Sequence, residues 1–359
     1  MSTSTVAYVS TPVISLGGQP DAAAGGDLVS LVTEETIVGM AWCEARLNNF
    51  GYRNGGTGYL YLGRDRIDFG TQIGVTFGAA DQSRQVFTGQ VSAIQADYPA
   101  ADPAQVLVFA EDSLQAFRLT RRTRSFENSS TADIAQQLAS EHGLTPSIDL
   151  GGPTRAVVTQ VNQSDLAFLR SLARADDGEV WLDGTSLHLA GRPDRDGGSF
   201  DLFYGGGLVS LSVRADLAGQ CTELGVAGWD VANKDAIIET ADSSALGSEL
   251  GSDTSGSSIL STALGDRQER IVRAAPLATD DATALARAAY LERARRFVCG
   301  TGLTDGTALM MVGSRVNLSG LGGIFDGTYY VSRTRHIFDI TAGYRTEFDV
   351  ERPGIGAAQ

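Results

Sequence analysis

Three histidines, His142, His188 and His336, and three cysteines, Cys43, Cys221 and Cys299, are the residues of this 359-residue chain that most readily do chemistry. Metal chemistry needs such residues in close pairs that converge on one ion. Here they are scattered. His142 stands at a predicted helix end, His188 alternates within a predicted hairpin, and His336 lies in a predicted strand, so there is no HExxH pair. The cysteines are odd in number and far apart, which gives neither a disulfide framework nor a metal spacing. They read as buried free thiols made in a reducing cytoplasm. No G-x-S-x-G elbow is present. Gly300-Thr301-Gly302 follows a helix instead of leading from a strand into one, so it is no nucleotide loop. Asp194-Arg195-Asp196-Gly197 opens like a calcium loop but lacks the distal ligands. Carboxylates are plentiful, yet none is singled out as half of a glycosidase pair. The expectation is no catalytic, cofactor-binding or metal-binding residue.

Composition narrows the alternatives. An apolar content of 42% suits a globular protein with a sizeable core, and the length suits two or three domains. Forty-three glycines suggest a turn-rich β protein. The net charge of −15 argues against non-specific nucleic-acid binding and against docking on anionic lipid. It reads as solubility or as an acidic face in an assembly. Among 28 basic residues the one lysine is Lys234. Arginine is favoured at interfaces, although a GC-rich genome gives the same bias. The N-terminus has no basic region followed by an apolar run, hence no signal peptide. No apolar run approaches the ~18 residues that would span a bilayer.

Residues 1–115 read as strand after strand: Val6 to Val9, Leu28 to Val32, Ile37 to Leu47, Tyr59 to Leu62, and Val106 to Ala110. Turn residues such as Asn54-Gly55-Gly56 and Asp81-Gln82-Ser83 separate them, the pattern of a barrel or sandwich. Arg118, Arg121, Arg122 and Arg124 then mark a solvated or intersubunit strand. Residues 116–200 form a small α+β domain. One helix is capped by Ser130 and stopped by Gly143; a second is capped by Ser164 and ended by Gly178. Val180-Trp181-Leu182, an Asp183-Gly184 turn and Leu187-His188-Leu189 make a hairpin. Residues 201–352 are β again. They carry a Ser/Gly/Asp-rich stretch, 240–266, expected to be an exposed mobile loop. An alanine-rich helix, 280–298, is expected to pack on its own barrel. Residues 353–359 read as a tail.

The stretch 313–352 organises the chain as three strands. A looser version occurs at 70–98. Gly70, Ile73 and Val75 correspond to Gly313, Val316 and Leu318. Phe87, Gly89 and Ser92 correspond to Phe325, Gly327 and, after a one- or two-residue adjustment, Ser332. One β-unit is used twice.

Two segments carry a family resemblance. In 164–189, Ser164, Asp165, Phe168, Leu169, Leu172, Ala173, Gly178, Trp181, Asp183, Gly184, Leu187 and His188 match a helix-then-hairpin signature. In 313–352, Gly313, Val316, Leu318, Gly320, Phe325, Asp326, Gly327, Tyr329, Tyr330, Val331, His336, Gly343, Tyr344, Phe348 and Arg352 match a second. Together they resemble the phage late-control gene D and VgrG (gp27-like) baseplate hubs of contractile tails and injection systems. The resemblance implies a mainly β, α+β chain: two tube-protein-like β-barrel domains with a small α+β domain between them. It implies a homotrimer whose six barrels form a ring joining the six-fold inner tube to the three-fold spike. The implied partners are further copies of the chain, the inner tube protein, a separate spike protein, other baseplate components, and tape-measure protein or cargo in the lumen. Assembly in the bacterial cytoplasm, no nucleic-acid specificity and no membrane insertion follow. The rival readings are a tail-associated peptidoglycan hydrolase, motivated by the carboxylates, and a carbohydrate- or receptor-binding β-protein, which would need exposed aromatic platforms.

Overall fold

The computed structural model describes residues 11–53, 55–78, 82–231, 233–273 and 278–356. The expected first strand around Val6 to Val9, Asn54, Asp81 and residues 357–359 lie outside them.

Twelve strands of one sheet fall into two sets of six. The first set is β1 (Val13–Leu16), β2 (Leu28–Thr36), β3 (Trp42–Asn48), β4 (Gln72–Phe77), β5 (Arg84–Asp97) and β6 (Gln105–Glu111). The second is β7 (Ser199–Tyr204), β8 (Gly207–Ala215), β9 (Val298–Asp305), β10 (Arg315–Ser319), β11 (Gly327–Asp339) and β12 (Gly343–Arg352). Spatial order in the first set is β1-β4-β5-β6-β3-β2, and in the second β7-β10-β11-β12-β9-β8. The two orders are identical strand for strand. One direction differs: β1 runs antiparallel to β4, whereas β7 runs parallel to β10. Alternation explains the strands: Val316, Leu318, Tyr329, Val331, Phe348 and Val350 point into one core while their neighbours face out.

Details of the duplication agree. Gly70 N–H donates to the Val91 carbonyl at 2.8 Å, and Gly313 N–H to the Val331 carbonyl at 3.0 Å. Both glycines sit at positive φ, +80° and +93°, which an L side chain rarely adopts. A register shift follows at Ser92 in β5 and at Ser332 in β11. The repeat expected from sequence therefore stands, with one correction. Ile73 faces Gly89 and Val316 faces Tyr329. Gly89 thus matches Tyr329, and Phe87 matches Gly327. The two-residue adjustment belongs in the turn before these positions, where loop length is free to vary.

The second unit closes as a six-stranded barrel, Phe203 and Tyr204 meeting Gly207 and Leu208 across its seam. The first has no such seam among the described residues. Its β2 pairs with β11 of the second unit, from Ser30 with Asp339 to Thr36 with Arg333. Strand β11 thus serves both units and changes partner at the Ser332 bulge, the kind of feature that re-aims a strand. The core of the first unit, including Leu31, Ala45, Val75, Phe77 and Val108, is completed by Phe338 and Tyr344. Phe77 stacks on Tyr344 with ring centroids 3.9 Å apart.

Between the units, helices Thr131–Glu141 and Asp165–Ala175 share a core with the hairpin Gly178–Asp183 and Ser186–Gly191. Ser130 and Asp133 form a capping box, and Ser164 accepts from Ala167 N–H. Asp177, at φ +58°, takes the left-handed position after the second helix, and Gly178 already begins the strand. Ile37–Gly39 is the turn between β2 and β3, not part of a strand; Tyr61 and Leu62 lie beyond the short strand Gly56–Tyr59.

Residues between β8 and β9 correct three expectations. The helix spans Thr279–Ala294, and residue 298 begins β9. It packs through Ala282, Ala286, Tyr290 and Leu291 on a separate three-stranded sheet, Asp235–Asp242, Glu223–Asp230 and Gln268–Val272, instead of on the barrel. The 240–266 stretch is not an irregular exposed loop. It finishes the first of those strands, turns through Ser243–Glu249, and forms helix Gly256–Leu264, capped by Ser255. Leu246 and Leu260 are buried, so two apolar residues anchor a segment whose composition is otherwise that of a loop. In the supposed tail, Gly354–Ile355 pairs with Thr254–Ser255.

Candidate assembly interface

Side chains that could have formed an active site are committed to structure. A cleft of about 450 Å³ between the first unit, the α+β region and β11 brings Glu35, Asp112 and His336 together. Burial pushes the Asp112 carboxyl up to about 6, although it accepts from Ala41 N–H at 2.6 Å and Leu114 N–H at 2.9 Å. Burial also pulls His336 down to about 4, so it is neutral at pH 7; its Nδ1 lies 2.8 Å from the Tyr344 hydroxyl. Glu35 is raised by burial and receives Arg195 at 2.5 Å. Each group has a fixed partner within the fold.

The other candidates are equally occupied. His142 caps its helix, stacks on Phe117 at 3.9 Å and meets Asp165 at 2.9 Å. His188 stacks on Trp181 at 5.0 Å. Cys43 and Cys221 are buried, whereas Cys299 is half-buried, so the expectation of three buried thiols holds for two. Arg195, in the calcium-like fragment, turns inward to Glu35 and Glu179. Among the described residues no group of three His, Cys, Asp or Glu is placed to hold a metal, and no helix is long and apolar enough to cross a membrane.

Arginine–carboxylate pairs join the regions of the fold. Glu179, on the signature hairpin, accepts from Arg192 at 3.2 Å, Arg195 at 3.1 Å and the Tyr330 hydroxyl at 2.6 Å. Arg192 also reaches Glu351 in β12 at 2.7 Å and lies over the Tyr330 ring. Burial, with the Glu179 charge adding to it, raises Tyr330 well above its ordinary value. First unit, hairpin and barrel are thus locked at one buried cluster. Arg295 similarly ties Asp177 to Glu249, and Arg155 ties Asp176 to Asp281. Guanidinium forks suit such multiply bonded, buried sites better than lysine does. The arginine run lies on a mostly exposed strand, Arg121–Ser129, in which Arg122 and Arg124 pair with Glu141 and Asp165 while Arg121 stays exposed and donates to the Asn162 carbonyl. Burial works to raise Asp165, but bonds from His142 and Gln160 and the Arg124 charge hold it below the usual carboxylate range.

Backbone is left without a strand partner at two edges. On its β4 side, β5 is paired through Val91 and has no strand beside Ala93–Asp97 among the described residues. On its side away from β9, β8 is paired among the described residues at Gly207 and Leu208 alone. Unpaired strand edges are templates for further pairing. Exposed apolar side chains lie nearby, Val209 at 50% and Tyr98 at 61% exposure. Tyr98 stands edge-on to Tyr59, which meets Phe50 on the hairpin Phe50–Arg53 and Gly56–Tyr59.

The fold of this mainly β chain is similar to those of phage-tail and type VI secretion components. The chain aligns over 96% of its length with 98% of the 43 kDa tail protein of prophage MuSo2 from Shewanella oneidensis, at 15% identity and a TM-score of 0.67. It covers 76% of the E. coli c3393 protein, a type VI secretion component described as similar to the T4 tail proteins gp27 and gp5, at 11% identity and a TM-score of 0.58. It covers 59% of a chain in the Francisella PdpA–VgrG complex, at 9% identity and a TM-score of 0.55. No curated protein sequence matches. The chain belongs to the Alg8 N-terminal domain family, whose model matches residues 64–339.

Proposed function

We propose that this protein is a structural, non-enzymatic baseplate hub of a contractile phage tail or injection system. Three copies form a ring between the six-fold inner tube and the three-fold spike. Residues 1–115 and 201–352 each supply one six-stranded unit of the ring, the second of them a closed barrel, and 116–200 braces them. The observation that carries the reading is the duplicated six-strand unit joined in series through β2 and β11. Two equivalent units per chain reconcile three copies with a six-fold neighbour, which a single unit cannot do. The tail-protein fold supports it, as does the commitment of every would-be catalytic group to structural contacts. The partners are other copies of the chain, the tube protein, the spike and further baseplate components, with tape-measure protein or cargo in the lumen.

Light scattering on the purified chain, alone and with its tube and spike proteins, tests this. The expected result is a trimer, with six density lobes around a central hole in negative-stain averages. A monomer under all three conditions would overturn the reading.

A further inference from the structure

The duplication carries more than a count of barrels. The contact inside the chain is β2 of the first unit against β11 of the second. Its counterpart is β8 of the second unit against β5 of a first unit, and both of those edges are open. Registers make the equivalence specific. Leu28 faces Leu47, and Ser30 faces Arg46 across a bulge; Leu208 faces Thr304, and Ser210 faces Leu303 across the same bulge. Leu-Val-Ser-Leu occupies 28–31 and again 208–211. In the other partner, Ser92 and Ser332 mark the same bulge, so Gln95 stands where Arg335 does.

We infer that β8 of one copy pairs antiparallel with the Ala93–Asp97 half of β5 in the next copy, in the register that β2 and β11 use within the chain. Glu35 faces Thr334, Glu34 faces Arg335 and Thr33 faces His336 inside one chain. By equivalence Ala215 faces Ile94, Arg214 faces Gln95 and Val213 faces Ala96 between chains. The inference rests on the ring reading and names the contact that makes the ring.

Charge picks the occupant. Within the chain, β2 brings the acid: Glu34 lies 3.2 Å from Arg333 and 3.9 Å from Arg335. Between chains the signs are exchanged. β8 brings Arg214, whose side chain is 81% exposed and whose one ion-pair partner among the described residues, Asp216, lies 4.0 Å away. β5 brings Asp97, diagonal to Arg214 in this register and now held by Arg46 at 3.1 Å and Gln95 at 2.9 Å. Were β8 to meet β11 instead, Arg214 would face arginines, which disfavours the wrong pairing. Each β8 edge therefore suits the first unit of a second copy, and alternation of the two contacts runs round the ring.

The test is a disulfide between chains. Gln95→Cys and Arg214→Cys are made singly in a Cys299→Ser background, since Cys43 and Cys221 are buried. Directly opposed strand positions lie within reach of a disulfide. The two full-length variants are mixed with the tube and spike proteins and mildly oxidised. The expected result is a covalent dimer that needs both variants, and a covalent trimer from the double variant. As a register check, Val209→Cys in place of Arg214→Cys gives at least a fivefold lower yield. A particle that is trimeric by light scattering, yet forms no covalent dimer from the Gln95→Cys and Arg214→Cys variants, would overturn this contact and leave the ring reading intact. A monomer under every condition would remove both.

Discussion

The two β-units have one strand order and share two bulges, yet among the described residues only the second closes on itself. Its β7 and β8 are joined by a short turn through Gly205 and Gly206, so they meet at Gly207. In the first unit, helix Ala22–Asp27, capped by Asp21, lies between β1 and β2 and separates them. The free side of β2 then takes the late half of β11. Closure and fusion are alternative ways of satisfying the same edge. The difference shows that a short connector can decide whether a duplicated sheet becomes two separate barrels or one continuous surface.

Breaking the cluster that locks the units should have the largest effect. Glu179→Ala leaves Arg192, Arg195 and Tyr330 buried without their common partner. A loss of about 3–5 kcal/mol is expected for breaking a buried pair, read as a lower midpoint in chemical denaturation. An unchanged midpoint would mean the regions are held by apolar contact alone. Equivalent leucines sharpen the contrast. Leu31 in β2 is fully buried, whereas Leu211, its counterpart in β8, is only half-buried. Leu31→Ala should cost about 2–4 kcal/mol and Leu211→Ala less than half of that in the isolated chain. Equal losses would indicate that the β8 edge is already covered.

The shared strand gives a pH signature that the first unit lacks. His336 in β11 corresponds to Ala96 in β5. Burial depresses the folded-state value of His336 to about 4, from an ordinary 6.5. Its stabilising contribution is complete above pH 6.5 and is lost as the pH falls towards 4, because the unfolded chain takes up the proton first. The expected loss is about 3 kcal/mol over that window. Asp112 acts the other way: its raised value favours the folded state as the pH falls from about 6 towards 4. His336→Phe should therefore convert a shallow pH dependence between 4 and 6.5 into stability that rises on acidification, measured by denaturation at fixed pH steps.

Much of this is legible in the residues. Caps at Ser130 and Ser164, the Asp183-Gly184 turn and the period-two strands of 313–352 are local signals, and local geometry obeys them. The duplication is readable from Gly70 and Gly313 because positive φ leaves little choice of residue. Its clearest sequence mark, Leu-Val-Ser-Leu at 28–31 and 208–211, is too short to stand out before the registers are known. The 240–266 stretch misleads because Leu246 and Leu260 are too few to set a period, and tertiary contact alone orders them. Nor can the Glu179 cluster be read, since Arg192, Arg195, Tyr330 and Glu351 converge from distant segments. Nor does the sequence reveal that Phe50, Tyr52 and Tyr59 are exposed, because alternation alone does not say which face is covered.

The finest comparison concerns the two edges and their charges. Arg214 contributes almost nothing to the isolated fold, being largely exposed, so Arg214→Glu should leave the denaturation midpoint unchanged. In the ring it would face Gln95 and lie diagonal to Asp97, setting like charges across a strand pair. Association should weaken roughly two- to fivefold, the scale of exposed cross-strand pairs, with a further drop as salt is lowered, because repulsion is then less screened. Adding Gln95→Arg supplies a directly opposed partner of the other sign. The double variant should recover the association that either single change loses, and the coupling between the two positions is the quantity that separates contact from general charge. Independent effects of the two substitutions would place Arg214 away from β5 of the neighbouring copy. They would also mean that the equivalence between the inner and outer contacts stops at the backbone.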